Sequence, residues 1–176
     1  MPLDATSWDT FAADHTGFFY YLNDRVTHRS TSPAASLFWF PTEAQWECAC
    51  RAGTTTKYFW GSDANEAIEY GSYAKEVPNH IHEVGWRKPN PWGFYDMVGN
   101  AWQFCADYHG NYDAGVGYDP ATHSVTDPKG PATGSNRVKR GSDYSSANRT
   151  YESSGYRGYA PPNWTQGGVR LKAEIL

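Results

Sequence analysis

The residues best suited to chemistry lie together near the end of the chain, between Asp143 and Gln166. Tyr144, Tyr151, Tyr156, Tyr159 and Trp164 sit there among Ser146, Asn148, Arg149, Arg157 and other small or polar residues. The stretch contains no Leu, Ile, Val, Met or Phe, so it supplies little core. Tyr and Trp bring large rigid contact areas at low entropic cost, and Ser, Gly and Asn add adaptable polar contacts. Recognition is the chemistry this composition serves. The two arginines could pair with acidic groups, in bidentate fashion where geometry permits. The plainer alternative is an irregular loop whose aromatics fold inward.

Other reactive side chains are sparse. Cys48, Cys50 and Cys105 are the three cysteines. Cys48 and Cys50 are two apart on an expected helix and so point to different faces. Buried free thiols are the expectation, with a Cys50–Cys105 pair as the alternative, and a cytoplasmic location is the default. His80 and His82 would share a face of an extended segment, but no third metal ligand can be named beside them. The 15 basic and 19 acidic residues give a net charge of -4. With no basic block beyond Arg137, Lys139 and Arg140, a phosphate-neutralising nucleic-acid face is excluded. No run approaches the roughly 18 apolar residues of a membrane span. MPLDATSWD lacks the parts of a signal peptide.

These residues need positioning. The 176 residues fit one domain with a real core. Thr6 to about Asn23 is predicted helical from a T-x-x-D opening and from Trp8, Phe11, Phe18 and Leu22 near helical spacing. Leu37, Phe38, Trp39 and Phe40 should enter the core. Pro41 and Thr42 open a second helix, with Gln45 completing a capping box. Ala44 with Cys48, and Trp46 with Ala49, would stack along it. From Gly53 to Val138 turn residues recur every few positions, and embedded aromatics must hold that region together. The chain ends on Val169, Leu171, Ala173 and Ile175 alternating with Arg170, Lys172 and Glu174, a half-buried strand. The fold class is α+β: two early helices, a long turn-rich middle and a closing strand.

Several segments resemble the formylglycine-generating enzyme (sulfatase-modifying factor) family: PTEAQWECACRAG at 41–53, YFWG at 58–61, NPWGFYDMVGNAWQFCADY at 90–108, DPKGP at 127–131, NRVKRG at 136–141 and GVRL at 168–171. The resemblance implies a variant of the C-type lectin fold over residues 1–176. It begins at TSWDTF (6–11), which implies a domain lacking the family's opening strands. That leaves an exposed flank for a partner or a second copy. The family's enzyme holds copper with two of its own cysteines, and soft thiolates suit Cu(I). Those positions fall on Ser146 and Tyr151 here, so no copper and no formylglycine formation are expected. The family's calcium segment falls on Asp96, Gly99, Ala101 and Gln103. Asp96 is a good hard ligand, while Gln103 replaces a carboxylate and should weaken binding. The alternative is a turn capped by Asp96 and Asn100, with Trp92, Tyr95 and Trp102 as core.

The departures from the family gather after Arg140. The run Asp143–Asn148 is similar in composition to the mutagenised segment of the variable proteins of diversity-generating retroelements. The leading expectation is therefore a non-catalytic module that displays a Tyr/Ser/Asn face to a protein ligand, with carbohydrate as the alternative partner class. An enzyme of unknown, metal-dependent oxidative chemistry and a structural or assembly subunit are the competing functions.

Overall fold

A computed structural model describes residues 22–25, 36–73, 80–112, 118–122 and 124–175. The expected helix of 6–23, with Trp8, Phe11 and Phe18, lies outside them except for helical residues at 22–25. Asn23 ties that helix to the next element by donating to the Phe38 carbonyl and accepting from its N–H.

Strand β1 (Ser36–Trp39) leads into helix α1 (Glu43–Arg51). The helix starts where the sequence requires. Thr42 accepts from the Gln45 N–H and the Gln45 side chain accepts from the Thr42 N–H, so both halves of the capping box form. The buried face of α1 is Glu43, Trp46 and Cys50 rather than the expected pairs, and Cys48 is exposed. Trp46 is the reason: its ring sets which stripe turns inward. A short helix α2 (Ala67–Tyr70) follows.

The central sheet is four-stranded. Strand β2 (Trp102–Tyr108) pairs antiparallel with β5 (Arg137–Arg140), which pairs antiparallel with β6 (Gly158–Ala160). On the other side of β2 lies the parallel two-residue strand β7 (Gly167–Gly168). Strands β3 (Tyr118–Asp119) and β4 (Ser124–Val125) form a small hairpin. Strand β8 (Lys172–Ile175) pairs with β1. Helix α1 covers one face of the central sheet, where Trp46, Cys50, Phe59, Met97, Val98, Cys105 and Val138 form the main core. Phe40, Phe104 and Ala160 form a smaller cluster. In the turn-rich middle, Tyr58, Trp60 and Tyr70 stack in series at 4.7 and 5.1 Å. All three cysteines are free thiols. Burial pushes the Cys50 thiol up to about 12, so it stays protonated and inert.

Two sequence expectations change. Of the 37–40 run, Phe40 is fully buried while Phe38 and Trp39 are only half-buried. The closing strand inverts its pattern: Val169 and Leu171 are exposed, whereas Arg170 and Lys172 are half-buried. Arg170 finds three acceptors on the protein, described below, and its guanidinium outcompetes the aliphatic neighbours for the inner side. Among the described residues no helix is long and apolar enough to cross a membrane.

Candidate functional site

Strand β5 separates two environments through the alternation of a strand. Val138 and Arg140 face α1, where Val138 joins the main core and the Arg140 guanidinium lies 5.1 Å from the Trp46 ring. Arg137 and Lys139 face the other way, over Tyr108 and over two indoles respectively.

On that outer side an aromatic cluster forms. Tyr151 and Tyr156 lie 4.6 Å apart, and each reaches Trp102, at 6.4 and 6.0 Å. The Lys139 ammonium sits 4.5 Å from the Trp102 ring and 3.9 Å from Trp164. Trp102 is buried, whereas Tyr151, Tyr156, Trp164 and Lys139 are half-buried. Burial and the neighbouring Tyr151 raise the Tyr156 phenol above its ordinary range.

The main chain of the segment is held from below. Arg140, with no exposed surface, donates to the carbonyls of Ser154, Gly155 and Tyr156 at 2.9, 3.0 and 2.8 Å. It also pairs with Glu47 and lies 3.4 Å from Glu43. The Ser154 N–H donates to the Lys57 carbonyl, the Tyr58 hydroxyl donates to the Arg149 carbonyl, and the Tyr144 N–H donates to the Asn100 carbonyl. Local turns do the rest. The Ser145 and Ser146 hydroxyls both donate to Asp143, and Asn148 caps the 3-10 turn Arg149–Glu152 through the Thr150 N–H. Ser146 and Asn148 therefore shape the loop with the groups expected to meet a ligand. Arg149 is half-buried, pairs with Glu152 at 3.4 Å and lies over Tyr73.

Two expected face residues lie elsewhere. Arg157 turns to α1 and grips Glu43 with two hydrogen bonds of 2.8 and 2.6 Å, stacking 4.3 Å from Tyr112. Tyr159, opposite Val138 in the sheet, lies 4.4 Å from His109. Its exposure of 56% makes it a surface ring, but it does not join the Tyr151–Tyr156 cluster through any ring contact. Near Arg157 a cleft of about 500 Å³ is lined by Glu43, Glu47, Cys48, Tyr112 and Gly155. Behind it Asp107, buried on β2, accepts the Glu43 N–H at 2.7 Å and so caps α1. Burial, then repulsion by Glu43, raises Asp107 to about 6. Burial and the Arg157 charge lower His109.

The expected calcium loop is a left-handed turn, with positive φ at Asp96, Gly99 and Asn100. Gly99 is required there, because a Cβ would stand 2.6 Å from the Ser72 nitrogen. Gln103 does not fit as a metal ligand. Its side-chain oxygen already accepts from Trp46 Nε1 at 2.9 Å and Arg170 Nε at 2.6 Å, and its nitrogen donates to the Asp96 carbonyl. Arg170 also donates to the Tyr95 and Asp96 carbonyls, placing a positive charge beside the loop. Asp96 accepts the Gly85 N–H at 2.7 Å. The donors to consider for a hard cation reduce to the Asp96 carboxylate and the carbonyls of Gly99 and Ala101. Trp92 and Tyr95 are exposed rather than core. His80 and His82 lie 4.5 Å apart with His82 stacked on Trp86, and among the described residues no group of three or more His, Cys, Asp or Glu could hold a metal.

Lys139, Trp102 and Arg140 were absent from the sequence expectation for this site. The signal was present: NRVKRG, taken as a strand, puts Lys139 and Arg140 on opposite faces.

The sequence model of the sulfatase-modifying factor enzyme 1-like domain matches residues 10–174. Formylglycine-generating enzyme of Bos taurus is 29% identical over 144 residues, covering 68% of this chain and 37% of that protein. Serine/threonine-protein kinase pkn1 of Chlamydia pneumoniae is 38% identical over 101 residues, 57% of this chain and 15% of the kinase. The chain thus spans well under half the length of these curated relatives. Among solved structures, Treponema denticola variable protein 1 superposes with a TM-score of 0.67 at 32% identity, over 76% of this chain and 46% of that one. PvdO from Pseudomonas aeruginosa gives 0.67 at 22% identity over 90% of this chain and 57% of its own, a likeness of fold.

Proposed function

Because the chain belongs to the sulfatase-modifying factor enzyme 1-like family and has the C-type lectin-like fold of its formylglycine-generating members, we propose that its family site has become a non-catalytic binding face for a protein ligand. The observation that carries this is how residues 144–156 are held. Arg140, Tyr58, Lys57 and Asn100 contact their main chain, leaving the half-buried side chains of Tyr151 and Tyr156 to each other, through a phenol hydrogen bond and ring contact, and to Trp102. Main-chain tethers do not depend on the rings carried by the residues they hold, so the loop keeps its path when Tyr151 and Tyr156 change. The likeness to a variable protein supports the same reading. The resemblance puts Ser146 and Tyr151 at the family's copper-thiolate positions, and no cysteine follows Cys105. The site therefore lacks the soft donors that Cu(I) chemistry needs. A face centred on Tyr144, Tyr151, Tyr156 and Trp164 serves recognition, since rings that desolvate fully at an interface centre dominate binding energy.

Thermal melting of Tyr151→Ala/Tyr156→Ala tests this without a known ligand. The three ring pairs are tilted rather than stacked or T-shaped, and so sit at the low end of the about 0.5–1.5 kcal/mol that a well-oriented pair contributes beyond area burial. A folded double variant that loses about 1–2 kcal/mol is expected. A loss of the 3–5 kcal/mol typical of removing one core ring would make the segment structural instead.

A further inference from the structure

One side chain narrows the ligand's chemistry. The Lys139 stem runs across the β5–β6 pair over Gly158, its register partner. A Cβ at residue 158 would stand 3.2 Å from Lys139 Cε, 3.3 Å from Cγ and 3.5 Å from Trp102 Cζ3. The missing side chain makes a slot that delivers the ammonium between two indole faces. Among the described residues those faces are its contacts; no carboxylate or carbonyl accepts its three N–H donors. Asp143 exerts the one favourable field on it, and that carboxylate is bound by Ser145 and Ser146. Desolvation holds the ammonium below its ordinary range, so it is short of a counter-charge.

The rest of the face has the same sense. Asp143 and Glu152 are buried, whereas Lys139 and Arg149 are half-buried. The buried Glu152 takes Arg149 as its partner, so Lys139 is the cation of this face that no carboxylate pairs, although the whole chain carries a net charge of -4. The indole faces that meet Lys139 carry its ammonium, so they are not open to the C–H face of a neutral sugar.

Building on the binding-face reading above, we propose that Lys139 anchors a carboxylate of the protein ligand. The ligand segment carries an Asp or Glu that enters beside Trp102 and Trp164, with apolar or aromatic neighbours against Tyr151 and Tyr156. A charge-assisted hydrogen bond in this partly desolvated setting is about twice as strong as a neutral one.

The test is selection of a random heptapeptide phage library on the immobilised chain. Enriched peptides are expected to carry Asp or Glu beside aromatic or aliphatic residues. Their affinity should fall about tenfold or more on Lys139→Gln, stay within about threefold on Lys139→Arg, and fall on Tyr151→Ala/Tyr156→Ala. In a double-mutant cycle the amide form of the peptide, Asp→Asn or Glu→Gln, should lose affinity on the wild type and none further on Lys139→Gln. Lys139→Met, which keeps the apolar stem, replaces the Gln variant if that one melts early. Peptides that need the tyrosines but bind Lys139→Gln as well as wild type would overturn the acidic-ligand inference and leave the binding face standing. No enrichment, or enrichment indifferent to the tyrosines, would overturn both.

Discussion

Lys139 and Arg140 are neighbours in sequence and cations of similar length, yet the sheet gives them opposite fates. Arg140 is fully buried, with three carbonyls and two carboxylates around its guanidinium. Its fork geometry suits a site that must satisfy several acceptors at once. Lys139 is half-buried between two ring faces. The first arrangement commits both terminal nitrogens to the protein's own acceptors, leaving Nε alone without one, and holds a loop by its main chain. The second is unsaturated and sits where a ligand can complete it. On the proposed reading, structure and recognition are divided between the two sides of one four-residue strand.

The sharpest way to break that comparison is to remove each cation in turn. Arg140→Met takes the donor from three carbonyls and one arginine from Glu43 and Glu47, which keep Arg157 and Arg51, and losing one partner of a buried pair costs about 3–5 kcal/mol. Lys139→Met should cost less than about 1 kcal/mol. Urea unfolding of the two variants measures the gap, and equal losses would erase the distinction.

Asp107, which caps α1, gives the next largest effect. Its folded value of about 6 stands above the 3.8 of the free side chain. The folded state therefore binds the proton more tightly, and stability from this group is fully present below pH 3.8 and lost as pH rises through 6. The cost when ionised is on the order of 1–3 kcal/mol. Asp107→Asn keeps an acceptor for the α1 N-terminus and removes the repulsion with Glu43. Its melting temperature should exceed wild type at pH 8 and converge with it near pH 4. Parallel profiles would show that Asp107 titrates normally.

Calcium is the smallest expected effect. We propose weak binding to the Asp96 carboxylate with the Gly99 and Ala101 carbonyls, limited by the Arg170 charge nearby. Saturating calcium should raise the melting temperature by a few degrees at most over chelator, through binding to the folded state alone. Asp96→Ala should remove that response. Identical melts would leave Arg170 as the loop's cation.

The sequence shows why half of this was legible. Thr42 and Gln45 mark the start of α1 because a capping box is local chemistry, complete within four residues. The Tyr-rich composition of 143–166 marks a surface because it lacks aliphatics. Which residues of that segment face together is not local. Arg157 leaves the face because Glu43, 114 positions away, draws it to α1. Tyr159 leaves it because the register of β6 places it opposite Val138. Val169 and Leu171 are exposed because Arg170 has acceptors on Gln103, Tyr95 and Asp96. In each case a long-range contact, whether an ion pair, a strand register or a set of distant acceptors, overrode what local composition or alternation alone would set.

The central claim is that main-chain tethers and the loop's own turns hold residues 144–156 so that the rings of Tyr144, Tyr151 and Tyr156 are replaceable. A yeast-displayed library saturating Tyr144, Tyr151 and Tyr156, scored by protease resistance, tests it beside an equal library of Trp46, Val138 and Arg140. The account predicts that most substitutions in the first set leave resistance near wild type while most in the second abolish it. Equal intolerance in the two sets would contradict it.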